Sequence, residues 1–89
     1  MESNRNRVKL EFYTKENCSL CEDAYALIMM LQNDYPFEVD ERDIYTNDEW
    51  LEEYQLLIPA VRINDTFLTC EQMSFQALEI ALKENVKKD

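Results

Sequence analysis

The chain has 89 residues, 46% of them hydrophobic, with 19 acidic against 9 basic side chains and a net charge of −10. That length allows one domain burying roughly 60–65% of its unfolded surface, and the apolar content is too high for a disordered chain. Histidine and glycine are both absent; this excludes Ser-His-Asp and Cys-His nucleophile arrangements, His-containing zinc sites, P-loops and the glycine-rich dinucleotide turn.

Residues 1–7 read as a polar tail without the apolar stretch or small-residue cleavage site of a secretory signal. No apolar run approaches the roughly 20 residues of a membrane-spanning helix, so a cytoplasmic location, where thiols stay reduced, is expected. A single domain is expected over residues 8–89. Val8, Leu10 and Phe12 alternate with Lys9 and Glu11, the period of a strand. Leu20, Ala24, Leu27, Ile28, Leu31 and Tyr35 form a helical stripe, which should end near Asn33–Asp34 because Pro36 disfavours helical geometry at Tyr35. Phe37 to Ile44 reads as a second strand, wet on one side. Thr46 with Glu49 reads as a capping box for a short helix carrying Trp50, Leu51 and Tyr54. Ala60–Asn64 and Thr66–Thr69 are strand-like runs about a tight Asn64–Asp65 turn, where Asn64 is expected to take positive φ. Ser74 is the expected N-cap of a closing helix with the stripe Leu78, Ala81, Leu82 and Asn85, and Lys83, Lys87 and Lys88 stand near its C-terminus.

The order β-α-β-α-β-β-α predicts an α/β fold: a four-stranded mixed sheet in which the strand-helix-strand start is parallel, the hairpin is antiparallel, and helices cover both faces. If the first strand is central, Lys9 and Glu11 must find partial exposure or partners on the second face. Asp34, Glu38, Asp40, Glu41, Asp43, Asp48, Glu49, Glu52 and Glu53 crowd one stretch with Arg42 as its one cation. Such a surface repels nucleic acid and anionic membrane. It either solubilises the molecule or steers a basic protein toward it. A monomer is expected.

"YTKENCSLCEDA" holds Cys18 and Cys21, two of only three cysteines. Cys18 falls at the junction of the first strand and first helix, where unpaired N–H groups and the helix dipole favour a thiolate. Lys15 adds a favourable charge; Glu16, Glu22 and Asp23 oppose it. Cys21, one turn on, can reach back to Cys18, an arrangement that suits an exposed attacking thiolate and a sheltered resolving thiol. Two other readings stand beside it. A zinc site has only Cys70 and a carboxylate to complete four ligands, so no metal is expected; or the pair are small core residues.

"LLIPAVRIND", residues 56–65, opens a strand with Ile58-Pro59, an uncommon place for proline. Together, "YTKENCSLC", "IPAVRIND" and the element order resemble the glutaredoxin-like branch of the thioredoxin fold, over nearly the whole chain from Val8 to about Val86. The resemblance implies a thiol-disulfide oxidoreductase with Cys18 as nucleophile and Cys21 as resolving thiol. Lys15 matches the basic residue glutaredoxins carry before their motif. Pro59 matches their cis-proline, which leaves the backbone of Ile58 to pair with substrate.

The chain departs from glutaredoxins in three places. Ser19-Leu20 replaces their Pro-Tyr between the cysteines, Leu57-Ile58-Pro59 replaces their Thr-Val-Pro, and Thr69-Cys70 followed by Glu71-Gln72-Met73 replaces the Gly-Gly turn and acidic residues that grip glutathione. Side chains there crowd a site that wants bare backbone. A protein disulfide or another small thiol compound is therefore the expected partner; no cofactor is required, and glutathione as electron donor is left open. Cys70 reads either as a third thiol at the same edge or as a small buried hydrophobe. The alternative function, from a different class, is a non-catalytic binding module that holds a protein partner in the groove beside Pro59 or on the acidic face.

Overall fold

The computed structural model describes residues 8–86; the expected polar tail, Lys87 and Lys88 lie outside the described residues. Within them run β1 (Val8–Thr14), α1 (Ser19–Gln32), β2 (Phe37–Asp43), a 3-10 turn (Ile44–Thr46), α2 (Asp48–Tyr54), β3 (Ala60–Ile63), β4 (Thr66–Leu68) and α3 (Phe75–Asn85). The sheet is four-stranded and mixed, in the order β2-β1-β3-β4. β1 runs parallel to β2, with Leu10 opposite Val39, and antiparallel to β3, with Phe12 opposite Val61. The β3–β4 hairpin turns at Asn64, whose φ of 56° is the left-handed conformation that asparagine tolerates best after glycine.

The alternation of β1 decides the layers. Val8, Leu10 and Phe12 are buried on one face, with Val61 and Ile63 of β3, under α1 and α3. Each fully buried aliphatic side chain there contributes about 1.5–3 kcal/mol. On the other face Tyr13 and Ala60 meet Ile44 and Tyr54, with Trp50 and Leu51 of α2 packed against them. Helices thus cover both faces, as the element order predicts.

α1 sits in a different rotation from the one its apolar stripe suggests. Cys21, Ala24, Ile28 and Leu31 are its buried residues, while Leu20 is 63% exposed. Burying Cys21 turns its neighbour Leu20 about 100° away. Tyr35 lies beyond the helix but packs on the core, and its hydroxyl donates to Glu79 Oε2 at 3.3 Å. The α2 cap is also one residue later than expected. Asn47, not Thr46, is the N-cap, its Oδ1 accepting from the N–H groups of Glu49 (2.9 Å) and Trp50 (3.2 Å). Thr46 belongs to the preceding turn and donates to the Asp43 carbonyl at 2.7 Å. Asn47→Ala is expected to cost about 1 kcal/mol, read as a lower midpoint in urea unfolding with an unchanged slope.

Ser74 caps α3 as expected, its Oγ accepting from Ala77 N–H at 3.1 Å. Leu78, Ala81 and Leu82 are buried, whereas Asn85 is a polar clasp that donates to the Ala81 carbonyl (2.7 Å) and Thr66 Oγ1 (3.2 Å). Asn64 Nδ2 in turn donates to Asn85 Oδ1 at 3.0 Å, pinning the hairpin turn to the helix end.

The two polar residues of β1 have different fates. Lys9 is exposed; Glu11 is half-buried and joins a network. Tyr13 Oη donates to Glu11 Oε1 and accepts from Arg42 Nη1, each at 3.0 Å. Arg42 is also bound by Asp40 through Nη2 (2.8 Å) and Nε (2.9 Å), and its guanidinium lies 5.0 Å from the Trp50 ring centre. The one cation of the acidic stretch is therefore committed to the second core. Burial opposes the charge on Arg42, but the Asp40 hydrogen bond and the nearby Glu11 and Tyr13 more than offset it, raising its pKa. Burial first, then hydrogen bonds to Tyr54 and Glu11, push the Tyr13 phenol up to about 12 from 10.0. Between those values the unfolded chain loses the Tyr13 proton and the folded chain keeps it, so stability falls as pH rises through that window. The advantage of wild type over Tyr13→Phe should shrink by roughly 2 kcal/mol between about pH 10 and 12. Urea unfolding of both proteins at these pH values measures it.

Candidate active site

The loop between β1 and α1 is built around Asn17. Thr14 ends β1 buried, Lys15 and Glu16 are exposed, and Asn17 takes φ 56°. Few residue types accept that conformation cheaply when glycine is absent. It delivers Cys18 in extended geometry, φ −126° and ψ 104°, as the N-cap of α1. A thiol stands where serine, threonine or aspartate normally would. Cys18 Sγ accepts from the Cys21 N–H at 3.1 Å, and the Cys18 carbonyl accepts from Glu22 N–H at 3.0 Å. The same donor and the positive end of the helix dipole face a Cys18 thiolate when the pair is reduced.

Cys18 and Cys21 are joined as a disulfide, with Cα atoms 5.2 Å apart. Their environments differ: Cys18 is half-buried, whereas Cys21 is 3% exposed and packed in the core with Ala24 and Ile28. One sulfur can meet a partner and the other is sheltered behind it.

Two depressions flank the pair. A cleft of about 220 Å³ is lined by both cysteines with Lys15, Glu16, Glu22 and Glu41, and Phe12 and Tyr25 form its apolar wall. A second, also about 220 Å³, is lined by Leu20, Ala24, Leu27, Pro59, Cys70 and Met73, with Asp23 at its rim. Pro59 is buried and its bond to Ile58 is cis, as the resemblance implies. Ile58 is half-buried and packs against both cores. Its amide is not free for substrate, however: it donates to the Tyr54 carbonyl at 3.2 Å. The expectation that the Ile58 backbone is left to pair with substrate fails for its donor, because the turn leaving α2 captures that N–H.

Cys70 is a free, half-buried thiol whose N–H donates to the Leu57 carbonyl at 3.0 Å, which holds it beside the cis-proline. Fold topology thus brings Pro59 and Cys70 to one groove at the first turn of α1, and Lys15 to the other side of the disulfide. Among the described residues no cluster of three Cys, Asp or Glu side chains is placed to hold a metal ion. Nor is any described helix long and apolar enough to cross a membrane.

Sequence reasoning missed Asn17, and named Leu20 and Met73 without their role as groove walls. An asparagine immediately before a cap position in a glycine-free chain was a usable signal for Asn17. Leu20 follows once Cys21 is assigned to the core. For Met73 the resemblance marked the stretch as part of the site, and the path of the loop after β4 makes this residue a wall of the groove.

The described fold and site compare directly with known proteins. A solved structure of a malarial protein superposes with a TM-score of 0.68 at 17% identity, over 91% of this chain and 99% of its own. A mutant thioredoxin from Halobacterium salinarum superposes with a TM-score of 0.67 at 14% identity, covering 98% of this chain and 81% of that one. At such identities the likeness is one of fold, and the fold is that of thioredoxin. The family model described as Glutaredoxin-like domain (DUF836) matches residues 9–86, spanning the cysteine pair, the cis-proline and all four strands apart from Val8, the first residue of β1. The chain belongs to that glutaredoxin-like domain family.

Proposed function

We propose that the protein is a thiol-disulfide oxidoreductase working through Cys18 and Cys21. The observation that carries this reading is the asymmetry of the pair: a half-buried sulfur at a helix N-terminus, bonded to a buried one a turn behind it. In the reduced protein the Cys18 thiolate attacks one sulfur of a substrate disulfide. That S–S bond breaks, the leaving thiolate takes the electron pair and a proton, and Cys18 is left in a mixed disulfide. Cys21 then gives up its proton and attacks the Cys18 sulfur, forming the intramolecular disulfide and expelling the second substrate thiol. The protein dithiol is oxidised and the substrate disulfide reduced; an external thiol restores the dithiol for the next cycle. Leu20, Leu27, Met73 and Pro59 supply an apolar bed for the segment carrying the substrate sulfur.

The test is equilibration in a graded series of glutathione redox buffers, followed by differential alkylation and peptide mass spectrometry. A reversible Cys18–Cys21 disulfide with a defined midpoint, and faster alkylation of Cys18 than Cys21 once reduced, support the reading. Cysteines that stay reduced throughout and label slowly sink it, and leave the groove as a binding surface without turnover.

A further inference from the structure

We propose, resting on the dithiol reading above, that the site selects positively charged disulfides over negatively charged ones, with Glu16, Glu22 and Glu41 as the selecting residues. The preferred substrate is a protein or small-molecule disulfide flanked by ammonium or guanidinium groups. An anionic disulfide such as oxidised glutathione is disfavoured.

The first observation is the charge around the sulfurs. Glu16, Glu22 and Glu41 line the cleft that holds both cysteines, and all three are exposed. Asp43 extends the rim into an adjoining depression shared with Glu16 and Glu41, and Asp23 stands on the Pro59 side. Against these carboxylates, Lys15 is the one cation lining the three depressions. Arg42 cannot compensate, being bound to Asp40 and Tyr13, and Arg62 is stacked on Phe67, 4.7 Å from its ring centre. Charges gathered on one small cleft act together within the Debye length, about 10 Å at 0.1 M salt.

The second observation is independent of that charge. The loop after β4 borders the groove, and backbone N–H groups in such a loop are the usual means of gripping a carboxylate. Here four of them are engaged internally. Thr69 N–H donates to Gln72 Oε1 (2.9 Å), Cys70 N–H to the Leu57 carbonyl (3.0 Å), Gln72 N–H to the Thr69 carbonyl (2.9 Å) and Met73 N–H to the Cys70 carbonyl (3.5 Å). An anionic substrate therefore meets carboxylates on one side of the disulfide and, on the other, a loop whose Thr69, Cys70, Gln72 and Met73 amides are already engaged.

The chemistry needs no added co-reactant when run once. The reduced protein supplies two electrons and two protons, the substrate disulfide becomes two thiols, and Cys18 and Cys21 become a disulfide. Reduced full-length protein, freed of reductant, is mixed with cystamine (doubly cationic), hydroxyethyl disulfide (neutral) or oxidised glutathione (doubly anionic). Acid quenching, alkylation and mass spectrometry follow formation of the Cys18–Cys21 disulfide. At about 10 mM salt the rate constants should fall in that order, with the extremes at least ~10-fold apart. The spread should contract in about 1 M salt, where the Debye length is about 3 Å. Any change in the Cys18 thiolate population scales all three rates alike, and dividing each rate by that of the same disulfide with a small neutral dithiol removes differences in leaving-group reactivity, so the normalised ratios report charge selection. The triple variant Glu16→Gln, Glu22→Gln, Glu41→Gln should narrow the low-salt spread at least ~3-fold. If the triple variant keeps the wild-type ratios, or all three disulfides react at one normalised rate, charge selection is overturned while the dithiol reading stands. If none of them yields a Cys18–Cys21 disulfide, the dithiol reading falls and this proposal falls with it.

Discussion

Replacing Cys18 by serine is expected to reduce disulfide exchange at least ~100-fold, to the background of the uncatalysed reaction, because a hydroxyl at that position presents no thiolate at neutral pH. The fold should survive, since serine is a better N-cap than cysteine and its oxygen can accept the Cys21 N–H in place of sulfur. Cys21→Ser should behave differently. Cys18 still attacks, but the mixed disulfide it forms has no resolving thiol behind it and accumulates. With Cys70, a free thiol in the groove, also replaced by serine, mass spectrometry of the intact protein after exposure to a small disulfide separates the two: no adduct on Cys18→Ser, a stable single adduct on Cys21→Ser. The opposite pattern, an adduct that persists only when Cys18 is replaced, makes Cys21 the nucleophile. That outcome contradicts the burial of Cys21 at 3% exposure.

Phe12→Ala should cost about 3–5 kcal/mol, the usual range for truncating a buried phenylalanine in a core that collapses only partly around the gap. Phe12 is 1% exposed and sits on the central strand β1, opposite Val61 of β3, in the same core as Cys21, Ala24 and Ile28. Its ring also faces Tyr25 across 6.1 Å, and both rings line the cleft that holds the cysteines. A domain of this size has a total stability at the low end of about 5–15 kcal/mol, so the variant should be partly unfolded or close to it at 25 °C. Equilibrium urea unfolding measures the loss. Met30→Ala, at a position 55% exposed on the outer side of α1, should change stability by less than about 0.5 kcal/mol. Equal effects at the two positions would contradict the assignment of β1 to the centre of the core.

The cysteine pair, the strand-opening proline and the element order are all local features, and they led to the thioredoxin fold before any contact was known. Periodicity carried β1 and α3, and composition carried the turn: in a chain without glycine, Asn64 was the natural residue for positive φ, and it adopts it. Where a property depends on which side of an element faces inward, the one-dimensional pattern was not sufficient. Leu20 and Cys21 are both apolar and adjacent. Packing of α1 on β1 chose Cys21 for the core and turned Leu20 outward into the groove beside Pro59. Thr46 and Asn47 are both capable caps, and the 3-10 turn after β2 engaged Thr46 first, leaving α2 to Asn47.

Arg42 looked like a lone cation on an acidic surface. The parallel pairing of β1 with β2 sets it beside Tyr13, with Glu11 two residues away on the same face, and there it became the centre of a half-buried network. The chemistry followed the same division. That a pair of thiols is this chain's candidate chemistry was legible from its cysteines and from the absence of histidine and glycine. That Cys18 is half-buried and Cys21 sheltered, that Glu41 joins Glu16 and Glu22 at the cleft holding the pair, and that four amides of the loop after β4 are already engaged, were decided by tertiary structure. The burial of Cys21, the approach of Glu41 and the bond from Cys70 N–H to Leu57 each need segments distant in sequence to meet.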